Sequence, residues 1–456
     1  MKAFFKTIAA LTLSAVMAVS VLSGCGGPQG GEQSQSKDDK SASTQQEVGL
    51  KEKTKITFWF YPRYNVSGKE NGVYEKELAA DFMKSNEDAT VEVESIPWNG
   101  GPEKVNIAIS SNAMPDSVFD FPGRIIGYGQ KGVLKDLSKM LTEEDKKDIP
   151  ENILSHCIDN GKMYMYPTAV SPIAIAVNKK IFKDAGALDL LPLDKPDRAW
   201  SISDFEKALE AVKKLKGIQP VVLFAGNEQG DASIRMLVQN FGADFVSEDH
   251  TKVVINSDAG VAGVQWLVDS YKKGLFAPGA ESATAPDAQD LFQQGKAAFC
   301  LLYGAANKNI LKAMIDEGKA PADFELAYLP QPTADGVSQK VEAQVFGYCV
   351  FDNKDDSRAA ASQKFIDYLC NNKDIVKTIG AYPVRQSMGD LYDDPELKFL
   401  GTLSGKVADT GYTMNNYAKV RSLWFPALQA ALTGDKTAKA ALDDFAAKAT
   451  AAIAEK

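Results

Sequence analysis

The residues that could carry acid–base, nucleophilic or metal chemistry are few and widely spread. Histidine occurs only twice, at His156 and His250, far apart in the chain. Zinc or iron needs His, Cys or carboxylate clustered at helix or loop spacing, and a catalytic triad needs an imidazole beside its nucleophile. Neither pattern is present, although paired tyrosines remain a conceivable holder of ferric iron. Asp116 with Asp120, or Asp393 with Asp394, could stand as the two carboxylates of a glycosidase, but such pairs are equally common on solvated loops. No Gly-rich phosphate loop follows a strand, and no serine sits in a G-x-S-x-G elbow. Aromatic side chains are the abundant resource: 22 Phe, 15 Tyr and 5 Trp. Trp98 and Trp200 stand beside turn or proline signals, as do Tyr164, Tyr166, Tyr303, Tyr382, Tyr412 and Trp424. Flat rings suit the C–H faces of sugars, and Asp, Asn and Arg suit their hydroxyls. For any one of these rings, packing into a core is as good an account.

The elements that would position them alternate between strand and helix. Lys55 to Tyr61 (KITFWFY) is a strand of bulky β-formers that runs into Pro62. Tyr74 to Ser85 has the apolar spacing of an amphipathic helix, Thr90 to Ile96 is a second strand, and Pro102 to Ser110 a second helix. Pro115 to Asp120 is a third strand. Further on, Gly161 to Phe182 carries tyrosines, then Pro167 and Pro172, then the apolar run Ile173 to Val177. Proline cannot donate to a sheet ladder, which predicts a break rather than one central strand. Either two strands of one domain or an extended crossover between two lobes fits. Ser201 to Gly217 is a helix with a capping box expected at Ser203 and Glu206 and a stripe of Phe205, Leu209 and Val212. Alternation of this kind predicts an α/β fold of mostly parallel sheets, with ligands beyond the carboxyl ends of the strands.

The chain of 456 residues, 45% hydrophobic, is longer than most single domains, and two lobes are expected. Its net charge of −9 argues against nucleic acid or an anionic bilayer as a partner of the folded part. Residues 1–24 read as an export signal, with Lys2 and Lys6 ahead of an apolar run. The run ends Leu22-Ser23-Gly24-Cys25, which resembles the bacterial lipobox and implies lipid on Cys25. Residues 25–53 are too polar to fold and read as a flexible tether. Cys157, Cys300, Cys349 and Cys370 read mainly as buried free thiols, with a Cys300–Cys349 bridge as the alternative.

Several segments, in order, resemble the extracellular solute-binding proteins of ATP-driven (ABC) importers, in the cluster that includes maltose-binding protein and sugar-binding lipoproteins. They are SSNAMPDSVFD, GKMYMYPTAVSPIAIAVNKKIFKDAG, AWSISDFEKALEAVKKL, LFQQGKAAFCLLYG, AYLPQP and AYPVRQS. The resemblance implies two α/β lobes joined by a hinge of crossing segments, a carbohydrate ligand, membrane permease subunits as partners, no cofactor, no catalysis and a monomer. It divides the chain into 54–167 plus 293–335 for one lobe and 168–292 plus 336–456 for the other. Tyr166 to Ser171 matches the first crossing, and segments before Gln293 and near Gln331 to Tyr348 match the returns. Cleft contacts carried over by position fall on Phe60, Tyr61, Trp98, Asp120, Tyr166, Trp200, Tyr303 and Arg385. A secreted carbohydrate-active enzyme, a receptor for a non-sugar solute, and a sensory receptor remain alternatives. The identity of the sugar is not legible.

Overall fold

The computed structural model describes residues 53–62, 69–97, 100–227 and 230–455. Cys25, the tether through residue 52, and Trp98 lie outside the described residues. The first strands form where alternation predicts them. β1 (Thr54–Phe60) buries Ile56, Phe58 and Phe60 on one face and pairs in parallel with β2 (Ala89–Ser95) and β3 (Ser117–Asp120). Helices α1 (Val73–Ser85), α2 (Gly101–Ser110) and α3 (Pro122–Gln130) connect or follow them. A small hairpin, β4 (Ile158–Asp159) with β5 (Lys162–Met163), precedes β6 (Tyr166–Pro172).

At Pro172 the chain leaves the first sheet, and β7 (Ala174–Asn178) begins in a second one. The second sheet also contains β8 (Gln219–Val221), β9 (Ala297–Tyr303) and β10 (Leu326–Leu329), in the order β10-β7-β9-β8. Its helices are α4 (Ile202–Lys213), α5 (Gly230–Gln239), α6 (Asp258–Lys272), α7 (Ala285–Gln293) and α8 (Ala305–Asp316). The chain then returns: β11 (Ala343–Val350) and β12 (Tyr382–Pro383) complete the first sheet in the order β12-β6-β11-β3-β1-β2. α9 (Asp356–Cys370) covers that sheet, with Phe365 edge-on to Phe58 at 5.4 Å and to Phe82 at 5.0 Å. α10 (Pro395–Thr402) follows, and α11 (Tyr417–Leu432) packs with α12 (Ala438–Ala454) on the second lobe, against α6.

The sheets are mixed, not mostly parallel. β1–β2, β1–β3 and β8–β9 are parallel, while β6, β7, β10, β11 and β12 make antiparallel pairs. A strand that leaves a lobe lies beside one that enters it, and the two necessarily run in opposite directions. Sheet membership also reverses the expected allocation of the returning segments. β9 and β10, expected in the first lobe, belong to the second sheet, and β11 and β12, expected in the second, belong to the first. The segment before Gln293 is likewise no crossing: α7 packs on β9 inside the second lobe.

β6 runs through both prolines. Pro167 faces Gly347, where the β6–β11 register slips, and Pro172 is the last residue of the strand, so neither interrupts a regular ladder. Three segments meet at the waist. The Ile173 amide donates to Glu342 O at 2.9 Å, the Val341 amide to Lys406 O at 3.0 Å, and the Ala408 amide to Val341 O at 2.9 Å. All four cysteines are free and buried, and burial pushes the Cys300 thiol up to about 12. Cys300 and Cys349 lie in different sheets, so the alternative bridge is not formed.

The cap of α4 also differs from expectation. Ser201, two residues before Ser203, is the N-cap: its Oγ accepts from the Asp204 amide at 3.1 Å and donates to Asp204 Oδ2 at 2.8 Å. Both serines satisfy the spacing, and the earlier one caps because the helix starts at Ile202, leaving Ser203 inside its first turn and exposed. Ser201→Ala is expected to cost about 1 kcal/mol, read as a lower urea midpoint at unchanged slope. Ser203→Ala should leave the midpoint in place.

Candidate ligand-binding cleft

The first wall is built at the carboxyl ends of β1 and β3. Tyr61 follows β1 and is buried under the start of α2, where a Cβ on Gly101 would lie 2.7 Å from its ring. Asp120 ends β3, and α3 begins two residues later at Pro122. One turn of helix therefore brings Arg124 back over the carboxylate. Its Nε donates to Asp120 Oδ2 at 2.8 Å, and the Phe121 amide donates to Oδ1 at 2.8 Å. The aspartate side chain is fully buried, whereas that of Arg124 keeps 23% of its surface exposed. The guanidinium lies 5.1 Å from the Tyr61 ring centre and 5.3 Å from that of Phe121, within cation–π range. Burial works against its charge, but Asp120 outweighs it and holds Arg124 above the ordinary arginine value. Burial, and then Asp120, pushes the Tyr61 phenol up.

The second wall has the same chemistry from different elements. Asp231 in the first turn of α5 is 2% exposed and receives Arg421 of α11, Nε to Oδ2 at 2.6 Å and Nη2 to Oδ1 at 3.0 Å. Such a two-pronged pair fixes the guanidinium plane as well as its charge. The Arg421 side chain is 24% exposed. Tyr417, one turn earlier on α11, packs against Gly123 of α3. A Cβ at residue 123 would come within 2.2 Å and 2.3 Å of two Tyr417 ring carbons, so only glycine allows this contact between the lobes. Arg124 and Arg421 thus flank the seam where α3 meets α11.

Beneath the second wall, Arg235 is completely buried, 3.7 Å from Asp231 and 3.8 Å from Glu342, with its guanidinium 4.0 Å from the Phe245 ring centre. Glu342 stands at the waist, immediately before β11. Burial pushes its carboxyl up to about 8 against the pull of Arg235.

The expected contacts divide into groups. Tyr61 and Asp120 meet through Arg124 on the first wall. Phe60 stacks on Phe58 at 5.9 Å within the first lobe. Trp200 donates its indole N–H to Pro330 O at 2.8 Å and packs on Phe205, inside the second lobe. Tyr303 accepts from Gln293 at 3.2 Å and packs edge-on to Phe292. Tyr166 and Arg385 meet each other: Arg385 Nη2 donates to the Tyr166 hydroxyl at 2.8 Å, and that hydroxyl donates to Asp367 at 3.0 Å. They form a buried knot with Asn371 and α9, at the end of β6 away from the waist. Arg124, Asp231, Tyr417 and Arg421 were not anticipated. Their only signal is i,i+4 spacing, Asp120 to Arg124 and Tyr417 to Arg421.

Comparison with known proteins agrees with this architecture. The model of the family described as bacterial extracellular solute-binding protein matches residues 65–375. A putative binding protein of Brucella abortus is 25% identical over 228 residues, and the match spans 50% of this chain and 53% of that protein, about half its length. The diacetylchitobiose binding protein of Streptomyces coelicolor is 26% identical over 72% of this chain and 70% of its own. The sn-glycerol-3-phosphate-binding periplasmic protein of Rhizobium meliloti is 23% identical over 88% and 94%. Among solved structures, the cyclic alpha-maltosyl-1,6-maltose binding protein of Arthrobacter globiformis superposes with a TM-score of 0.72 at 18% identity, covering 88% of this chain and 99% of that one. The chain belongs to the bacterial extracellular solute-binding protein family, with the two-lobed α/β fold of that family.

Proposed function

We propose that the protein captures a sugar or oligosaccharide between its lobes and delivers it, without chemical change, to the permease of an ATP-driven importer. Lipid on Cys25 would hold it at the outer face of the cell membrane. The observation that carries the reading is the pair of guanidiniums on opposite walls, each clamped by a buried aspartate and each beside an aromatic ring. Clamped guanidiniums present fixed N–H groups to hydroxyls from both walls, with the buried rings of Tyr61 and Tyr417 packed beside them. Closing two lobes on a ligand removes water from both sets at once. The diacetylchitobiose-binding relative supports a carbohydrate. The sn-glycerol-3-phosphate-binding relative supports a small phosphorylated polyol as the second reading, and a screen that includes both classes separates them.

Thermal unfolding of the protein against a panel of mono- and oligosaccharides and glycerol phosphates tests the cargo. Ligand at about a hundred times its dissociation constant adds ~2.7 kcal/mol of stability, so a sugar hit is expected as a clear rise in Tm. A response to glycerol phosphates alone would contradict the sugar reading. Arg421→Lys keeps the charge but loses the two-pronged geometry. It is expected to weaken binding by about tenfold, ~1.4 kcal/mol, with a ligand-free Tm close to wild type. Unchanged affinity in both Arg421→Lys and Arg124→Lys would remove the two walls from the site.

A further inference from the structure

The only two histidines of the chain, distant in sequence, approach one short segment. Residues 409–413 run between the lobes just after Val407 bridges to Val341 at the waist. From the second lobe, His250 is held at a turn in left-handed backbone, φ 55°. Its Nε2 donates to Asp409 Oδ2 at 2.6 Å, and its Nδ1 lies 2.5 Å from Thr413 Oγ1. A carboxylate only accepts, so Nε2 carries the hydrogen. Nδ1 then accepts from the threonine hydroxyl in the neutral ring, and the hydroxyl turns to accept when the ring is charged. From the first lobe, Gln130 of α3 donates to Thr413 O at 3.1 Å, and the His156 ring meets Tyr412 edge-on at 5.1 Å.

The titratable groups around His250 come from every neighbouring element. Asp409 is on the segment, Asp249 on its own turn and Asp159 on β4 of the first lobe, and all three favour the charged ring. Burial of the ring opposes them, and His156, lowered to about 4 by its own burial, stays neutral across the range in which His250 titrates. Glu342 reaches this cluster through the Tyr412 hydroxyl, at 3.4 Å.

We propose that His250, Asp409 and Thr413 form a proton-sensitive clasp. It ties a turn of the second lobe to a segment that lies against the first, so the setting of the two lobes responds to pH. This adds regulation to the receptor reading and rests on it for its role in capture, although the clasp belongs to the unliganded chain. A raised imidazole favours the clasped arrangement fully below about pH 6.5. That contribution is lost as pH rises through the raised value.

With two histidines in the chain, the imidazole Hε1 region of the NMR spectrum gives two signals. One is expected to titrate above the ordinary value and to move down in Asp409→Asn and, less, in Asp159→Asn. The other should stay unprotonated until about 4. Spin labels on the exposed positions Ile107 of α2 and Ile310 of α8 then report the distance between lobes. The wild-type distribution should be narrower at about pH 5.5 than at about pH 8.5, either side of the imidazole range. His250→Asn, which tolerates the left-handed backbone, should show the high-pH distribution at both. A His250→Asn protein that keeps the wild-type pH response, or a midpoint unmoved by Asp409→Asn, overturns the clasp. A protein that binds no sugar but shows the titration overturns the cargo and leaves the clasp standing.

Discussion

The structure depends on the antiparallel pairing of β6 with β11, which carries the chain out of one sheet and brings it back. Ala343 faces Pro172 at the end of that ladder, and one residue further the Ile173 amide bonds to Glu342. Beyond this point the two strands have different neighbours. The same backbone that completes the first sheet therefore feeds the second, and one continuous apolar core runs through both lobes. Hinge motions concentrate where a few residues can absorb a change in backbone angle without breaking a packed interior. Side chains that must face one another across the seam have to come from the ends of elements on either side of this waist.

That requirement explains the charge placement on both walls. A guanidinium beside a mostly apolar core is tolerable only with a buried partner, and a buried carboxylate only with its cation. Asp120–Arg124 and Asp231–Arg421 meet the condition with the carboxylate inside and the cation part-way out. Removing Arg124 outright would leave Asp120 as an uncompensated buried charge, which costs about 3–5 kcal/mol in comparable pairs, whereas Asp231 would keep Arg235 at 3.7 Å. Charge-conserving changes are therefore the informative ones. Gly123 completes the arrangement by letting Tyr417 approach α3 closely enough to bring the two arginines to one seam.

Local signals made most of the elements legible. Alternation in KITFWFY, the stripe Phe205, Leu209 and Val212, and the free thiols in apolar strands all match the structure. The mixed sheet order and the lobe membership of β9 to β12 were not legible, because strand direction depends on which lobe the chain has just left. The cap moved from Ser203 to Ser201 because two serines fit one spacing rule. Among the expected contacts, Trp200 and Tyr303 have turn or proline flanks and pack within their own lobe. Asp120 was among the expected contacts and Arg124, which bonds to it, was not; Tyr417 with Arg421 lie in a segment without a readable pattern. The pairing that matters there is between elements hundreds of residues apart, which periodicity does not encode.

Hydrogen exchange of the protein with and without a stabilising sugar would test the central claim directly. Capture between the lobes predicts slower exchange at once in the start of α3, in the first turn of α5 and in the first half of α11, with little change on β2 or α9. Protection confined to one lobe, or none despite a rise in Tm, would contradict a ligand held across the Arg124–Arg421 seam.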